Sequence, residues 1–287
     1  MLTGKSIYHV EQNLGKAFVP NVLEGYFNDM TLKVLKGHNN IEDGIPFLEH
    51  SDGTHVQMPT MIFQYGLGAY DLWLINHDDV NRERFITCAD WALHNQLSNG
   101  AWNNFYYIYP DNPYSAMSQG EGISLLLRAY KATNNTDYLF SAKKAVEFML
   151  IDLNMGGVSL HNDNELVFLE YTHLPIVLNG WIFALFGLYD YYICSGEYKL
   201  ELDMTLKSLS RLIPSYDNRF WSLYDNKGKI TSPFYHNLHI AQLKALSLIS
   251  DDPVFGEYYS KWKRYQKKPI NRIRAFVIKA FQKLAEK

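Results

Sequence analysis

The chain has 287 residues, 47% of them hydrophobic, and a formal net charge of −3. Such a hydrophobic share supplies a sizeable core for one large domain or two modest ones, and no apolar run of about 18 residues marks a membrane span. The two cysteines, Cys88 and Cys194, lie far apart in helical patterns and read as reduced core residues rather than a disulfide framework.

Met1–Tyr8 lacks the apolar stretch of a signal peptide, so a cytoplasmic location is expected. Residues 1–57 mix short runs with glycines and carry weak helical signal, and read as an irregular or β-rich arm. Residues 58–266 then repeat one theme four times. An apolar helix with small residues near its start is followed by a short loop and an amphipathic helix. The pairs are Met61–Ile75 with Asn81–Leu97, Ala116–Thr133 with Asp137–Ile151, Val177–Cys194 with Leu200–Pro214, and Tyr235–Ile249 with Pro253–Tyr265.

The first helix of each pair is apolar nearly all round, which predicts burial. Its glycines, as in Gln64-Tyr65-Gly66-Leu67-Gly68 and Gln119-Gly120-Glu121-Gly122, lower helix propensity and point to close helix approach or a ligand-facing surface. The second helices carry charge on one face, such as Arg82, Glu83, Arg84 and Asp90. Buried helices alternating with amphipathic ones predict an all-α fold, an incomplete α/α toroid of about four hairpins. Its site is expected at the inner-helix ends. Aromatic links join the hairpins, and Asp225–Gly228 reads as a turn between extended stretches.

Residues 267–287 form the last unit, a basic amphipathic helix. Ile270, Ile273, Val277, Phe281 and Leu284 share a face, with Arg272, Lys279 and Lys283 off it. Ten of the 27 basic residues but one of the 30 acidic ones fall within 261–287, which makes that segment +9 and the rest −12. A membrane surface bound through 268–287, an anionic polymer, and packing against the acidic body are the three readings of this tail. Nucleic acid is not expected, since no recognised binding motif accompanies the basic segment. Oligomeric state is left open, a homodimer included.

Several motifs, in order, carry a resemblance. They are Ile62-Phe63-Gln64-Tyr65-Gly66-Leu67, Ala116–Ser124 with Leu127-Arg128-Ala129-Tyr130, Glu170-Tyr171, Val177-Leu178-Asn179-Gly180, and Gly187-Leu188-Tyr189-Asp190. Leu223-Tyr224-Asp225, Tyr235-His236 with His239-Ile240, and Pro253-Val254-Phe255 follow. From about Gln57 to Tyr265 the ordered set resembles the C-terminal domain of heparosan and heparan D-glucuronyl C5-epimerases. The resemblance implies an α/α toroid that inverts C5 of a uronic acid within an anionic polysaccharide, without a nicotinamide or other cofactor. It places the catalytic carboxylate–tyrosine pair on Glu170 and Tyr171, and two later active-site tyrosines on Tyr224 and Tyr235. Animal members draw a further tyrosine from an N-terminal part, for which Tyr26 is the candidate here.

The chemistry fits these residue types. C5 inversion removes a proton beside a carboxylate from one face and returns one to the other, with donors in place for the enolate. Glu170 and Tyr235 are the expected proton-transfer groups, with Tyr171 and Tyr224 in support. Gln119, Arg128, Asn179, His236 and His239 are the substrate-binding candidates. Taken alone, Glu170-Tyr171 reads first as an ordinary loop pair, and Arg128 could pair with Glu121. His236 and His239 sit three apart as metal ligands can, but no further ligand stands at suitable spacing, so no metal is expected. Two rival functions remain: a polysaccharide lyase on a similar toroid, and a non-catalytic glycan-binding or assembly protein.

Overall fold

The computed structural model describes residues 9–36, 40–50 and 52–285. Four helical hairpins lie where the periodicity places them. They are α2 (Pro59–Asn76) with α3 (Asp79–His94), α4 (Ala116–Thr133) with α5 (Thr136–Met149), α6 (Leu178–Ser195) with α7 (Lys199–Leu212), and α8 (Pro233–Ile249) with α9 (Pro253–Gln266). The starts follow from local chemistry. Asp78, Asn135 and Asp252 each accept a backbone N–H of the first turn of the helix that follows. The ends of α2, α4 and α6 close on left-handed residues, His77, Asn134 and Gly196.

The first helix of each pair is the buried one. In α4 every residue from Ala116 to Ala129 is buried, and in α6 every residue from Leu178 to Tyr191. The partner helices bury one face only, as their charge pattern requires. The result is an incomplete α/α toroid, with an inner layer of α2, α4, α6 and α8.

The glycines of α4 and α6 explain how close the inner helices come. A Cβ on Gly187 would overlap the backbone of Gly120, and one on Gly120 would overlap Ala184. Gly187→Ala is therefore expected to destabilise the protein by roughly 1–3 kcal/mol, measured as a lower denaturant midpoint, since neither backbone can retreat from a packed core.

The N-terminal arm is richer than its sequence suggests. It holds a short helix, α1 (Thr31–Leu35), and an antiparallel sheet of β1 (Asn40–Glu42), β2 (Ile45–Glu49) and β3 (His55–Val56). The arm is also part of the core. Tyr26, Phe27 and Met30 are buried, and Phe27 stacks on Phe186 of α6 with ring centroids 3.7 Å apart. Asp71 of α2 accepts the Tyr26 N–H at 2.9 Å, which pins the arm to the inner layer.

Two further pieces frame the site. A hairpin of β4 (Ser159–Asn162) and β5 (Glu165–Phe168) leads directly into Glu170. The 223–230 segment bends at Asp225–Gly228, where Tyr224 N–H donates to the Lys229 carbonyl at 2.6 Å and Gly228 takes φ +92°. The C-terminal helix, α10 (Pro269–Ala285), seats Ala275 and Ile278 against Trp221 and Ile230. Among the described residues, no helix is long and apolar enough to cross a membrane. Cys88 is buried and Cys194 partly so, both as free thiols.

Candidate active site

A cavity of about 280 Å³ opens where the inner helices meet the arm and the interhelical links. Glu170, Tyr171, Asn179 and Tyr235 all line it. Tyr171 also borders an adjoining cleft of about 600 Å³, shared with Tyr224, Tyr109, Lys227 and Lys229.

The backbone explains this convergence. Leu169 ends the β4–β5 hairpin with its carbonyl accepting from Ala116 N–H at 2.9 Å, so Glu170 is delivered to the start of α4. The chain then runs to α6, and a second set of bonds ties it to the 223–230 bend. Leu178 N–H donates to the Tyr224 carbonyl at 3.1 Å, and Asn226 N–H donates to the Ile176 carbonyl at 3.1 Å. Tyr224 is thereby fixed beside Tyr171. Tyr235 follows in the first turn of α8, its ring 5.0 Å from that of Tyr224 in an edge-to-face arrangement.

Glu170 is 7% exposed. Gly180, in the first turn of α6, leaves the space it occupies: a Cβ there would overlap the Glu170 side chain. Asn179 Nδ2 donates to Glu170 Oε2 at 3.3 Å, and the Tyr171 hydroxyl also bonds this carboxylate. Burial nevertheless outweighs both hydrogen bonds and pushes the Glu170 carboxyl up to about 7. A carboxylate at that value exchanges protons at neutral pH, where an exposed one would stay ionised.

The tyrosines extend this carboxyl into a chain of hydroxyls. Tyr171 interacts with Tyr224, and Tyr224 with Tyr235. Tyr235 Oη lies 3.1 Å from His9 Nε2. All three phenols are raised well above their usual value, by burial first and then by the neighbouring Glu170 charge, so they are neutral proton donors. Burial, and then Lys33, lower His9. Phe105 stacks on Tyr171 at 4.7 Å and holds the ring against the cavity wall.

The other expected binding residues do not line the cavity, and each has a structural reason. Gln119 is buried, accepting from Trp102 N–H at 3.1 Å and donating to the Gly100 carbonyl at 3.0 Å. Arg128 pairs with Asp190, Nη1 to Oδ2 at 2.6 Å, and not with Glu121. It also donates to the Glu24 and Gly25 carbonyls at 3.0 and 3.1 Å, which makes it a clamp on the arm. Tyr26 lies under that clamp, 5.3 Å from the guanidinium. His236 and His239 both face Ser222 Oγ, at 2.8 and 3.1 Å, and His236 stacks on Trp221. Burial pushes both imidazoles down to about 3, so they are neutral supports of the 220–223 link. Of the binding candidates, Asn179 alone reaches the cavity.

The structure adds residues that sequence reasoning missed. His9, Gln12 and Lys33 from the arm, Gln64 from α2, and Asn104 and Phe105 from a link also line the cavity. Lys33 brings a cation, lowered by burial and opposed by Glu121. Gln64 Nε2 donates to Glu121 Oε1 at 2.8 Å, and burial raises Glu121 well above the carboxylate range. Lys33 lies in a five-residue helix without strong periodicity, so no sequence signal marked it. Gln64 lies inside the Ile62–Leu67 motif, as a single amide within an apolar run.

Comparison with known proteins bears on the family and the fold. Residues 96–264 match the family model described as the D-glucuronyl C5-epimerase C-terminus, which leaves the first hairpin outside the match. A D-glucuronyl C5-epimerase of Caenorhabditis elegans is 31% identical over 216 residues, covering 63% of this chain and 34% of the relative. An uncharacterized protein of Methanocaldococcus jannaschii is 31% identical over 160 residues, covering 52% of this chain and 51% of that protein. The chain thus spans between a third and about half of these relatives' lengths. In fold, it is similar to an endo-β-1,4-glucanase of Acetobacter xylinum (TM-score 0.52, 11% identity, 82% of this chain and 78% of that one). It is also similar to an unsaturated glucuronyl hydrolase of Bacillus sp. GL1 (TM-score 0.50, 15% identity, 75% and 61%). The matched region holds Glu170, Tyr171, Tyr224 and Tyr235, and the chain belongs to the D-glucuronyl C5-epimerase C-terminal family.

Proposed function

We propose that the protein converts D-glucuronate to L-iduronate residues within a heparosan-like polysaccharide. The observation that most supports this is the buried carboxyl of Glu170, held near neutrality and linked through Tyr171 and Tyr224 to Tyr235 on the wall of the same cavity. C5 inversion needs one group that accepts a proton and another that donates one, and this arrangement offers both without a cofactor.

In this reading Glu170 accepts the C5 proton, and the electron pair moves into the substrate carboxylate to give an enediolate. Asn179 and Lys33 supply a donor and a cation for the developing charge. The Tyr235 hydroxyl returns a proton to the opposite face of C5, with His9 hydrogen-bonded behind it. Tyr171 and Tyr224 connect the two ends, so that the site regains its starting protonation. The rates of forward and reverse inversion then depend on which group begins charged.

Proton NMR of heparosan incubated with the protein in deuterium oxide tests the reading. Deuterium incorporation at C5 together with iduronate signals is the expected result. Formation of a 4,5-unsaturated sugar with chain cleavage would instead identify a lyase. Binding without exchange would identify a glycan-binding protein. The direction of the pH profile assigns the base: with Glu170 accepting the proton, kcat/KM rises as pH climbs through about 7. A fall across that range would make Glu170 the acid.

A further inference from the structure

We infer that α10 is a docking element for an anionic lipid surface. The helix is beyond residues 96–264, so the family match says nothing of it. Its inward side is fully engaged. Asn271 and Ala275 are buried, Gln282 accepts from Ile230 N–H at 3.0 Å and donates to the Gly228 carbonyl at 3.0 Å, and Lys279 Nζ donates to the Ile230 carbonyl at 2.7 Å. Arg274 lies over the Phe220 ring at 4.2 Å. These contacts fix the helix's rotation about its own axis.

The opposite side is apolar and open. Ile270, Ile273, Val277, Phe281 and Leu284 are 43 to 68% exposed. At 3.6 residues per turn these five form one stripe over the helix length. Arg274 borders it on one side, and Arg272 and Lys283 lie farther round the helix on the other, all exposed. Lys263, Arg264, Lys267 and Lys268 add exposed positive charge just before it. An apolar stripe between basic borders matches the boundary between acyl chains and anionic headgroups, where buried apolar area and charge attraction add.

Charge also chooses among occupants. Residues 261–287 are +9 against −12 for the rest of the chain, so two copies meeting through this stripe would bring like charges together. An anionic surface neutralises them, and the acidic remainder favours an approach with α10 foremost. Gln282 and Ala285 border the cleft that Tyr171 and Tyr224 share. Docking through the outward stripe therefore places α10 between that cleft and the lipid surface.

Point substitutions are the appropriate probe, since removing the helix would also uncover Trp221 and Ile230. The full chain is sedimented with phosphatidylcholine vesicles, with and without phosphatidylglycerol, across a salt series. Binding is expected with the anionic vesicles only, and is expected to weaken with salt. Ile273→Ser/Phe281→Ser/Leu284→Ser should reduce it by roughly tenfold or more. Arg272→Glu/Lys283→Glu should reduce it at low salt. Exchange at C5 of a soluble polymer should be unchanged in both variants, which separates this inference from the catalytic reading. Equal binding to neutral vesicles, no binding, or full binding by the triple-serine variant would overturn it. So would a concentration-dependent dimer that the triple-serine variant abolishes in the absence of vesicle binding.

Discussion

Glu170→Gln is expected to lower C5 hydrogen–deuterium exchange by about 10²–10⁴-fold, the range typical of a positioned general acid or base. The amide keeps the shape and the Asn179 neighbour but cannot take a proton. The same variant should be more stable than the parent at pH 8. The fold raises the Glu170 pKa from 4.5 to about 7, so its neutral form is the one the fold favours. That contribution is fully present below the unfolded value and is lost as pH rises through the folded value. Glutamine stays neutral throughout, and its advantage above pH 7 amounts to about 3 kcal/mol. Denaturant midpoints that coincide at pH 4 and separate at pH 8 would verify the burial argument. A lost activity with no such separation would leave Glu170 catalytic but not held near neutrality. Tyr235→Phe removes only the hydroxyl and is expected to reduce exchange over the same 10²–10⁴-fold range.

Arg128→Met is expected to cost about 3–5 kcal/mol of stability, because it leaves the Asp190 carboxylate buried without its partner. The loss goes beyond the ion pair. Arg128 also holds the Glu24 and Gly25 carbonyls, and Asp71, raised to about 7 by burial, receives the Tyr26 N–H beside it. Combining Arg128→Met with Asp190→Leu removes both charges and should recover part of the loss. Equilibrium urea unfolding of the three variants measures this. Additive losses in the double variant would show that the pair is not coupled.

Helices were the most legible part of this chain because their cause is local. A 3.6-residue apolar period needs no distant partner to be read, and all four hairpins carry it. The meeting of the candidate residues was legible through motif order: Glu170, Tyr171, Tyr224 and Tyr235 come together, joined by the 176–178 and 223–226 backbone bonds. Polar residues inside the same motifs were a different matter. Arg128 and Asp190 stand in motif positions because they pair with each other, and His236 because it stacks on Trp221. A buried polar side chain and a ligand-binding one look alike in sequence, since both interrupt an apolar pattern. The arm was least legible. His9 reaches the cavity by packing on Phe234 and Tyr235 of α8, and Lys33 through α1 on α2, long-range contacts for which short mixed sequence has no periodic signature.

The His9–Tyr235 contact joins residues 226 apart in the chain. Forming it closes a loop far longer than any within a hairpin, so it carries a larger entropic cost than the local helix contacts do. The helices can pair early, hairpin by hairpin, through nearby contacts. A chain with native helical content would then still lack the complete hydroxyl series, and catalytic competence would lag behind secondary structure during refolding. The site is in this sense a clasp between the N-terminal arm and the last hairpin of the toroid.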